Sequence, residues 1–446
     1  MLIKLVGTPS EAGRAYGELL SDEIQSTYKS WFPTPSPQLE ATLDWLFNCS
    51  LRPQSPPSLL EEIDAVEPIS LRQKLVRVLT GSTMPADANN IQTLIQRGIA
   101  AHGNIGQHCI QSGKRLLSSF DALRMPKNQM LVDHDCDFFA AWGNVTVDGR
   151  LLSTRNLDIR PGTGISKFKL IAVYNLSTDA HPYVPYVNIG FAGYIGSLAG
   201  MSKQGMTVSE ANLDNGDVSF DGIAWPMRLR EILSTAHNLT HALDIWHSKN
   251  NTAAFNFLIA SGKDQRAVAL ETNFHYTSEF YGNSNMERDA TFRCENGTVT
   301  DGHTCHWPFN NGEAVSIGMP LKEAVFRSNH GLAPNIMSTQ EPLWNDTVMR
   351  YLLLHDRIVD VSGTMDVEEA VGIVSLLGIK GEDYGSCRAS NFLTGDPTHV
   401  LSIVYDPSKE NMYVAWEDGT VTAGTNADWR PAACNEYLWF NMSEFW

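Results

Sequence analysis

Asp135-Cys136-Asp137-Phe138-Phe139-Ala140-Ala141-Trp142-Gly143, resumed at Asp148-Gly149-Arg150-Leu151-Leu152-Ser153-Thr154-Arg155-Asn156-Leu157-Asp158, is the stretch that decides the fold of this chain. An apolar run opens on a cysteine, a turn follows, and a second run ends in Arg-Asn-Leu-Asp. Two strands joined in this way return Arg155 and Asp158 to the neighbourhood of Cys136. A nucleophilic cysteine needs such company, because the thiolate is the reactive form and a nearby cation favours it. Each part has an ordinary reading too: a lone cysteine on an apolar strand is usually packing, and Arg155 with Asp158 could be an ion pair at a strand end. Together they point to a catalyst in the middle of the chain.

Four further segments stand in order around this hairpin. Gly7-Thr8-Pro9-Ser10-Glu11-Ala12-Gly13-Arg14-Ala15-Tyr16-Gly17 precedes it; Gly205-Met206-Thr207-Val208-Ser209-Glu210-Ala211-Asn212, Arg327-Ser328-Asn329-His330 and Ser386-Cys387-Arg388-Ala389 follow. Taken together they resemble the N-terminal-nucleophile (Ntn) cysteine hydrolases, in the branch of isopenicillin N acyltransferase, related to bile salt hydrolases, penicillin V acylase and acid ceramidase. The resemblance implies a precursor that cuts itself between Asp135 and Cys136. It also implies an α+β fold, the four-layer αββα sandwich, with a largely helical pro-segment ahead of the cut.

Roles are implied by the same resemblance. Cys136 attacks a carbonyl and carries the acyl group; its freed α-amino group, with an ordinary pKa near ~7.7–8, moves the proton. Arg155 favours the thiolate, Asp158 orients the amine, Asn212 and Asn329 donate to the oxyanion, and Arg388 braces the site. Asn329 has a second reading as a helix cap ahead of Gly331 and Pro334. Two positions depart from the family: Asp135 stands where Gly is frequent, and Asp137 where Ser or Thr is common. An acid on each side of Cys136 is expected to raise its thiol pKa by like-charge repulsion. Phe138, Trp142, Phe191 and Tyr194 are aromatic candidates to hold an apolar acyl chain, and would serve equally as core.

Composition excludes other classes. With 446 residues, 43% hydrophobic and 19% charged, the chain has the make-up of a large globular enzyme. A formal net charge of −17 argues against nucleic acid as a partner. No run of 18 apolar residues suggests a transmembrane helix. His303, Cys305 and His306 lack the spacing of a zinc site, and no phosphate-binding glycine motif is present, so neither metal nor cofactor is expected. No G-x-S-x-G marks a serine hydrolase. Cys49, Cys109, Cys294, Cys305, Cys387 and Cys434 accompany Cys136; Cys294 and Cys305 could close a disulfide loop, or all six could be thiols. Glycosylation sequons begin at Asn48, Asn144, Asn175, Asn238, Asn250, Asn296, Asn345 and Asn441. No secretory signal is read at Met1 to Gly7. The sequons and cysteines lean to a secreted or lysosome-like compartment, with a signal outside this numbering; the alternative is the cytoplasm.

Periodicity divides the chain at Cys136. Residues 1–135 read as mainly helical, with helices over 10–30, Leu39 to Phe47, Leu59 to Leu79 and Ile91 to Phe120. Residues 136–446 read as strands, two helices (Trp225 to Ala236 and Leu239 to His247), more strands, a long loop over 282–318, helices at Asp346 to Val361 and Asp366 to Leu376, and two closing strands. Leu229, Ile232 and Leu233 form an apolar stripe expected in the core. The expected activity is hydrolysis, or acyl transfer, of a non-peptide amide by a self-processed protein whose two chains stay together as an αβ heterodimer. A lipid amidase or esterase is the alternative chemistry, and a non-catalytic binding relative that never self-cleaves is the alternative class.

Overall fold

The computed structural model describes residues 1–83, 95–96, 107–119, 136–159, 165–178, 183–219, 221–293, 314–340, 345–377, 398–418 and 430–446. In chain order its strands are β1 (Leu2–Gly7), β2 (Cys136–Gly143), β3 (Gly149–Ile159), β4 (Lys169–Leu176), β5 (Tyr186–Phe191), β6 (Ala199–Ser202), β7 (Met206–Asn212) and β8 (Phe255–Ser261). Then come β9 (Arg266–Thr272), β10 (Thr277–Phe280), β11 (Thr291–Arg293), β12 (Ala314–Ser316), β13 (Ala324–Arg327), β14 (Thr398–Asp406), β15 (Asn411–Trp416) and β16 (Leu438–Asn441).

Two sheets result. The larger runs β1-β4-β5-β6-β7-β8-β9-β10 and the smaller β13-β2-β3-β14-β15-β16. They pack face to face: Ser153 Oγ lies 2.7 Å from Thr207 Oγ1, and Ser209 Oγ donates to the Thr154 carbonyl at 3.0 Å. Helices Trp225–Thr235 and Leu239–His247 cover the larger sheet, and Asn345–Asp360 and Val367–Leu377 cover the smaller. This is a four-layer αββα sandwich of the α+β class. With both faces covered, strands such as β2, β5 and β8 are buried without alternation, the pattern of a doubly buried strand. The stripe of Leu229, Ile232 and Leu233 is fully buried.

The segment ahead of Cys136 is helical over Pro9–Leu19, Ser21–Trp31, Pro37–Leu46, Pro57–Ala65 and Ile69–Ser82. The stretch expected as helical over Leu59 to Leu79 holds two helices, parted before Ile69 because Pro68 cannot sit inside a helix. Thr8 and Glu11 form a reciprocal capping box at the first helix. The segment is not only helical: β1 pairs in parallel with β4, Leu2 opposite Ile171 through Gly7 opposite Leu176. Only Leu5 of β1 is buried, so no alternation announced it.

This segment is part of the common core. Tyr16 Oη accepts from the Gly193 N–H at 2.9 Å, and Thr27 Oγ1 donates to the Ala192 carbonyl at 2.6 Å. Arg230, from the helix over the larger sheet, pairs with the fully buried Glu62 at 2.6 Å and lies 4.2 Å over the Tyr174 ring. Cys49 and Cys109 form a disulfide, which removes the all-thiol alternative; Cys294 and Cys305 lie outside the described residues. Within the stretch expected as a loop at 282–318, the described part holds a short helix (Asn285–Arg288) and the paired strands β11 and β12.

Candidate active site

Cys136 is the first residue of β2, and β2 and β3 form an antiparallel pair with Cys136 opposite Leu157 and Asp137 opposite Asn156. Side chains alternate across a strand, so the pair separates the site residues onto two faces. Cys136 and Arg155 look between the sheets, towards β7. Asp137, Asn156 and Asp158 look outward, under the helices that cover the smaller sheet.

On the inter-sheet face the Arg155 guanidinium is fully buried; it reaches the Cys136 thiol and donates to Glu210 Oε1 of β7 and to the Asn156 carbonyl. The ion-pair partner of Arg155 is therefore Glu210, not Asp158. Cys136 has no exposed surface and is the free cysteine among the described residues. Burial pushes its thiol up; Arg155 opposes this, while Glu210 and then Asp158 add to it. Asp137 is not a leading cause, contrary to the repulsion expected of it. Its carboxylate sits on the other face, where Asn156 Nδ2 donates to Oδ1 at 2.7 Å and Arg350 lies 3.7 Å from Oδ2. Asp135 lies outside the described residues. Burial likewise raises Glu210, against the pull of Arg155.

Asn329 follows β13, whose Arg327 pairs with Phe138, so it arrives beside Cys136. The Cys136 N–H leaves the strand ladder and donates to Asn329 Oδ1 at 2.8 Å. Asn329 Nδ2 donates to the Asn212 carbonyl at 3.0 Å and to Asn212 Oδ1 at 2.6 Å, joining the ends of β7 and β13. Asn329 is not a helix cap: the helix at Pro334 has Ala333 as its N-cap residue. With its NH₂ group directed to Asn212, Asn329 presents an acceptor, not a donor, to residue 136. The donor half of this amide pair is Asn212 Nδ2.

Arg350, absent from the residues singled out by sequence, completes the grip. It projects from helix Asn345–Asp360, is fully buried, and donates to the Cys136 carbonyl at 2.7 Å and to Asn329 Oδ1 at 2.8 Å. The available signal was an arginine between the core positions Val348 and Tyr351 of that helix. Arg388, expected to brace the site, lies outside the described residues.

Asp158 lies opposite His399 of β14, with Asp158 Oδ1 3.2 Å from His399 Nε2. His399 and Glu210 were not given roles by sequence, although Glu210 sits inside a quoted motif. His330, next to Asn329, is buried and lowered to about 3, mainly by burial and then by Arg327 and Arg350.

The aromatic candidates do not form one pocket. Phe138 shares the face of Cys136 and is fully buried. Trp142 is six residues along β2, about 20 Å from Cys136 at the usual strand rise, and is not its neighbour. Phe191 packs edge-on against Trp416 at 5.9 Å. Tyr194 is buried near Glu210 and Arg155 and stacks on Trp31 at 6.4 Å, so the segment ahead of the hairpin reaches the surroundings of the site.

No protein-family model matches the chain. An uncharacterized protein of Archaeoglobus fulgidus is 22% identical over 262 residues, 56% of this chain and 39% of that protein. Protein dcd1A of Dictyostelium discoideum is 23% identical over 291 residues, 63% of this chain and 60% of that protein. The chain thus spans less than two thirds of either relative. Among solved structures, an ortholog of N-acylethanolamine-hydrolyzing acid amidase from Caenorhabditis elegans overlays with a TM-score of 0.37 at 13% identity, covering 61% of this chain and 93% of that one. A mutant conjugated bile acid hydrolase from Clostridium perfringens gives 0.38 at 12% identity, covering 69% and 93%. At such TM-scores these likenesses assign no chemistry to this chain; the residues themselves must supply it.

Proposed function

We propose that the protein is a self-processing cysteine amidohydrolase, or acyltransferase, acting on a non-peptide amide. The observation that carries this reading is the grip on residue 136: its N–H is held by Asn329 and its carbonyl by Arg350, while its thiol lies against Arg155. A strand residue serving only as packing needs none of these. In self-cleavage, Cys136 Sγ attacks the carbonyl carbon of residue 135, the C–N bond breaks as the thioester forms, and the thiol proton passes to the leaving nitrogen. Water then hydrolyses the thioester and leaves Cys136 with a free α-amino group. Asn329 Oδ1 already accepts from that nitrogen and would keep hold of it as an amine.

In turnover, the amine takes the thiol proton and later returns it to the departing amine of the substrate. Arg155 stabilises the thiolate, Asp158 supplies a carboxylate behind the nucleophile, and Asn212, held by Asn329, would donate to the oxyanion. The full burial of Cys136 fits an uncut form whose site has yet to be opened. The buried contacts of Tyr16, Thr27 and Glu62 with the rest of the chain are reasons for the two fragments to stay together. Intact mass and N-terminal sequencing test the proposal: wild type should yield 135- and 311-residue fragments (446 − 135 = 311), the larger beginning at Cys136. A chain that stays whole, with Cys136 unreactive to a thiol reagent after mild unfolding and refolding, would favour the binding-protein reading.

A further inference from the structure

Behind the nucleophile, on the outward face of the β2–β3 pair, the chain buries a compartment that the reaction above does not explain. Asp137, Asp158 and His399 have no exposed surface. His399 Nε2 stands 3.2 Å from Asp158 Oδ1 and 3.8 Å from Asp137 Oδ2, so a single ring nitrogen faces both carboxylates. Among the described residues, Asp137 Oδ2 and both ring nitrogens of His399 have no hydrogen-bond partner. Buried polar atoms are rarely left so, and an ionised carboxylate is rarely buried without a balancing charge.

The backbone is shaped to put His399 there. The register of β14 against β3 shifts between His399 and Leu401, which leaves Val400 as an extra residue. Without that bulge His399 and Ser402, three apart, would face opposite sides; with it both face outward, Ser402 onto Asn156 and His399 onto Asp158. Bulges commonly re-aim a side chain next to a site. Among the described residues, the other charged or titratable groups that act on the compartment are Arg350, 3.7 Å from Asp137, Tyr437, whose hydroxyl bonds Ser402, and, through the hairpin, Arg155 on Asp137 and Cys136 on Asp158.

We propose that His399 is a positioning residue of the Cys136 site, whose ring stands between Asp137 and Asp158 as their shared partner, so that Asp158 stays ionised behind the nucleophile. The inference rests on the proposed self-cleavage. Its logic is electrostatic: two buried carboxylates this close to one imidazole repel each other, and without a partner between them one takes up a proton at a higher pH. Asp137 creates the need, and His399 meets it. No proton, electron or bond is transferred by the pair.

The test uses self-cleavage of the full chain, followed by intact mass from pH 4 to 9, in wild type, His399→Leu, Asp137→Asn and the double variant. His399→Leu should slow cleavage at least tenfold at neutral pH and move the acid limb of the profile up by about 1–3 pH units. Adding Asp137→Asn should return rate and limb to those of Asp137→Asn alone. His399→Gln, an uncharged side chain, should behave like His399→Leu. If His399→Leu does not fold, the double variant against Asp137→Asn decides: equal profiles support the proposal, and a further loss overturns it. Wild-type profiles in both His399 variants, or a loss that Asp137→Asn leaves untouched, would overturn it as well. So would one equivalent of metal per chain by elemental analysis, present in wild type and absent from His399→Leu. Failure of the underlying reading looks different: the wild type itself would not cleave, or Cys136→Ala would.

Discussion

The two faces of the β2–β3 hairpin come from the same two short stretches, yet they handle buried charge in different ways. Between the sheets a single cation, Arg155, serves one carboxylate and one thiol. On the outward face two carboxylates share a histidine and the edge of Arg350. The first arrangement is compact, with its partner on a facing strand, and is suited to tuning a nucleophile. The second draws its groups from two strands of the hairpin, a third strand and a helix, and is suited to holding a carboxylate in place. Nearness in sequence does not decide which carboxylate acts on the thiol: Asp137 is adjacent to Cys136 but is not among the leading influences on it, whereas Glu210 and Asp158, distant in sequence, are.

The largest effect is expected at the seam between the faces. Asn329→Ala removes the acceptor of the Cys136 N–H and the brace on Asn212, and should slow self-cleavage by about 10²-fold, the usual cost of misplacing a reacting group. Time courses by mass spectrometry, set beside melting temperatures, check this; a drop in melting temperature with an unchanged rate would reduce Asn329 to a structural tie.

On the inter-sheet face, Arg155→Ala leaves Glu210 buried without its partner. It should slow cleavage at least tenfold and lower stability by about 3–5 kcal/mol, as breaking one side of a buried pair does. Arg155→Met combined with Glu210→Gln removes both charges, and should recover most of that stability but none of the rate. Urea melts and cleavage assays on the single and double variants separate the two. Recovery of rate in the double variant would mean that the pair is structural.

On the outward face, Asp158→Asn keeps the shape and removes the charge. A loss of about tenfold or more in rate with little change in melting is expected, since positioned proton-handling partners contribute roughly 10²–10⁴-fold. Full rate would place Asp158 outside the chemistry.

How much of this was legible in the sequence follows from how local each contact is. The hairpin, the two helices at Trp225–Thr235 and Leu239–His247, and the burial of Leu229 and Leu233 follow from periodicity within a few residues. That Cys136 and Arg155 share a face also follows, because a hairpin fixes register over a short distance. Arg350 and His399 do not follow: one reaches Cys136 from 214 residues away, and the other is aimed by a bulge with no mark in composition. β1 was missed because its pairing with β4 buries only Leu5. Trp142 was misplaced because closeness in sequence along a strand is distance in space.

The smallest effect concerns pH. His330 is lowered to about 3 in the folded protein by burial, against about 6.5 for an unperturbed histidine. Between those values the unfolded chain binds a proton that the folded one refuses. Stability from this group is thus present above about pH 6.5 and lost as pH falls towards 3, at up to roughly 1.4 kcal/mol per pH unit. Urea melts of Cys136→Ala, used to keep the chain in one form, should steepen in that window. His330→Asn in the same background should flatten the slope, and an unchanged slope would assign the acid sensitivity to other groups.

Whether Cys136 cuts the bond ahead of itself is decided by one intact-mass measurement on freshly purified wild type and Cys136→Ala, incubated side by side at neutral pH without other proteases. The wild type should give fragments of 135 and 311 residues (446 − 135 = 311), and the variant a whole chain. Cleavage of the variant at the same bond, or of the wild type at a different bond, would contradict it.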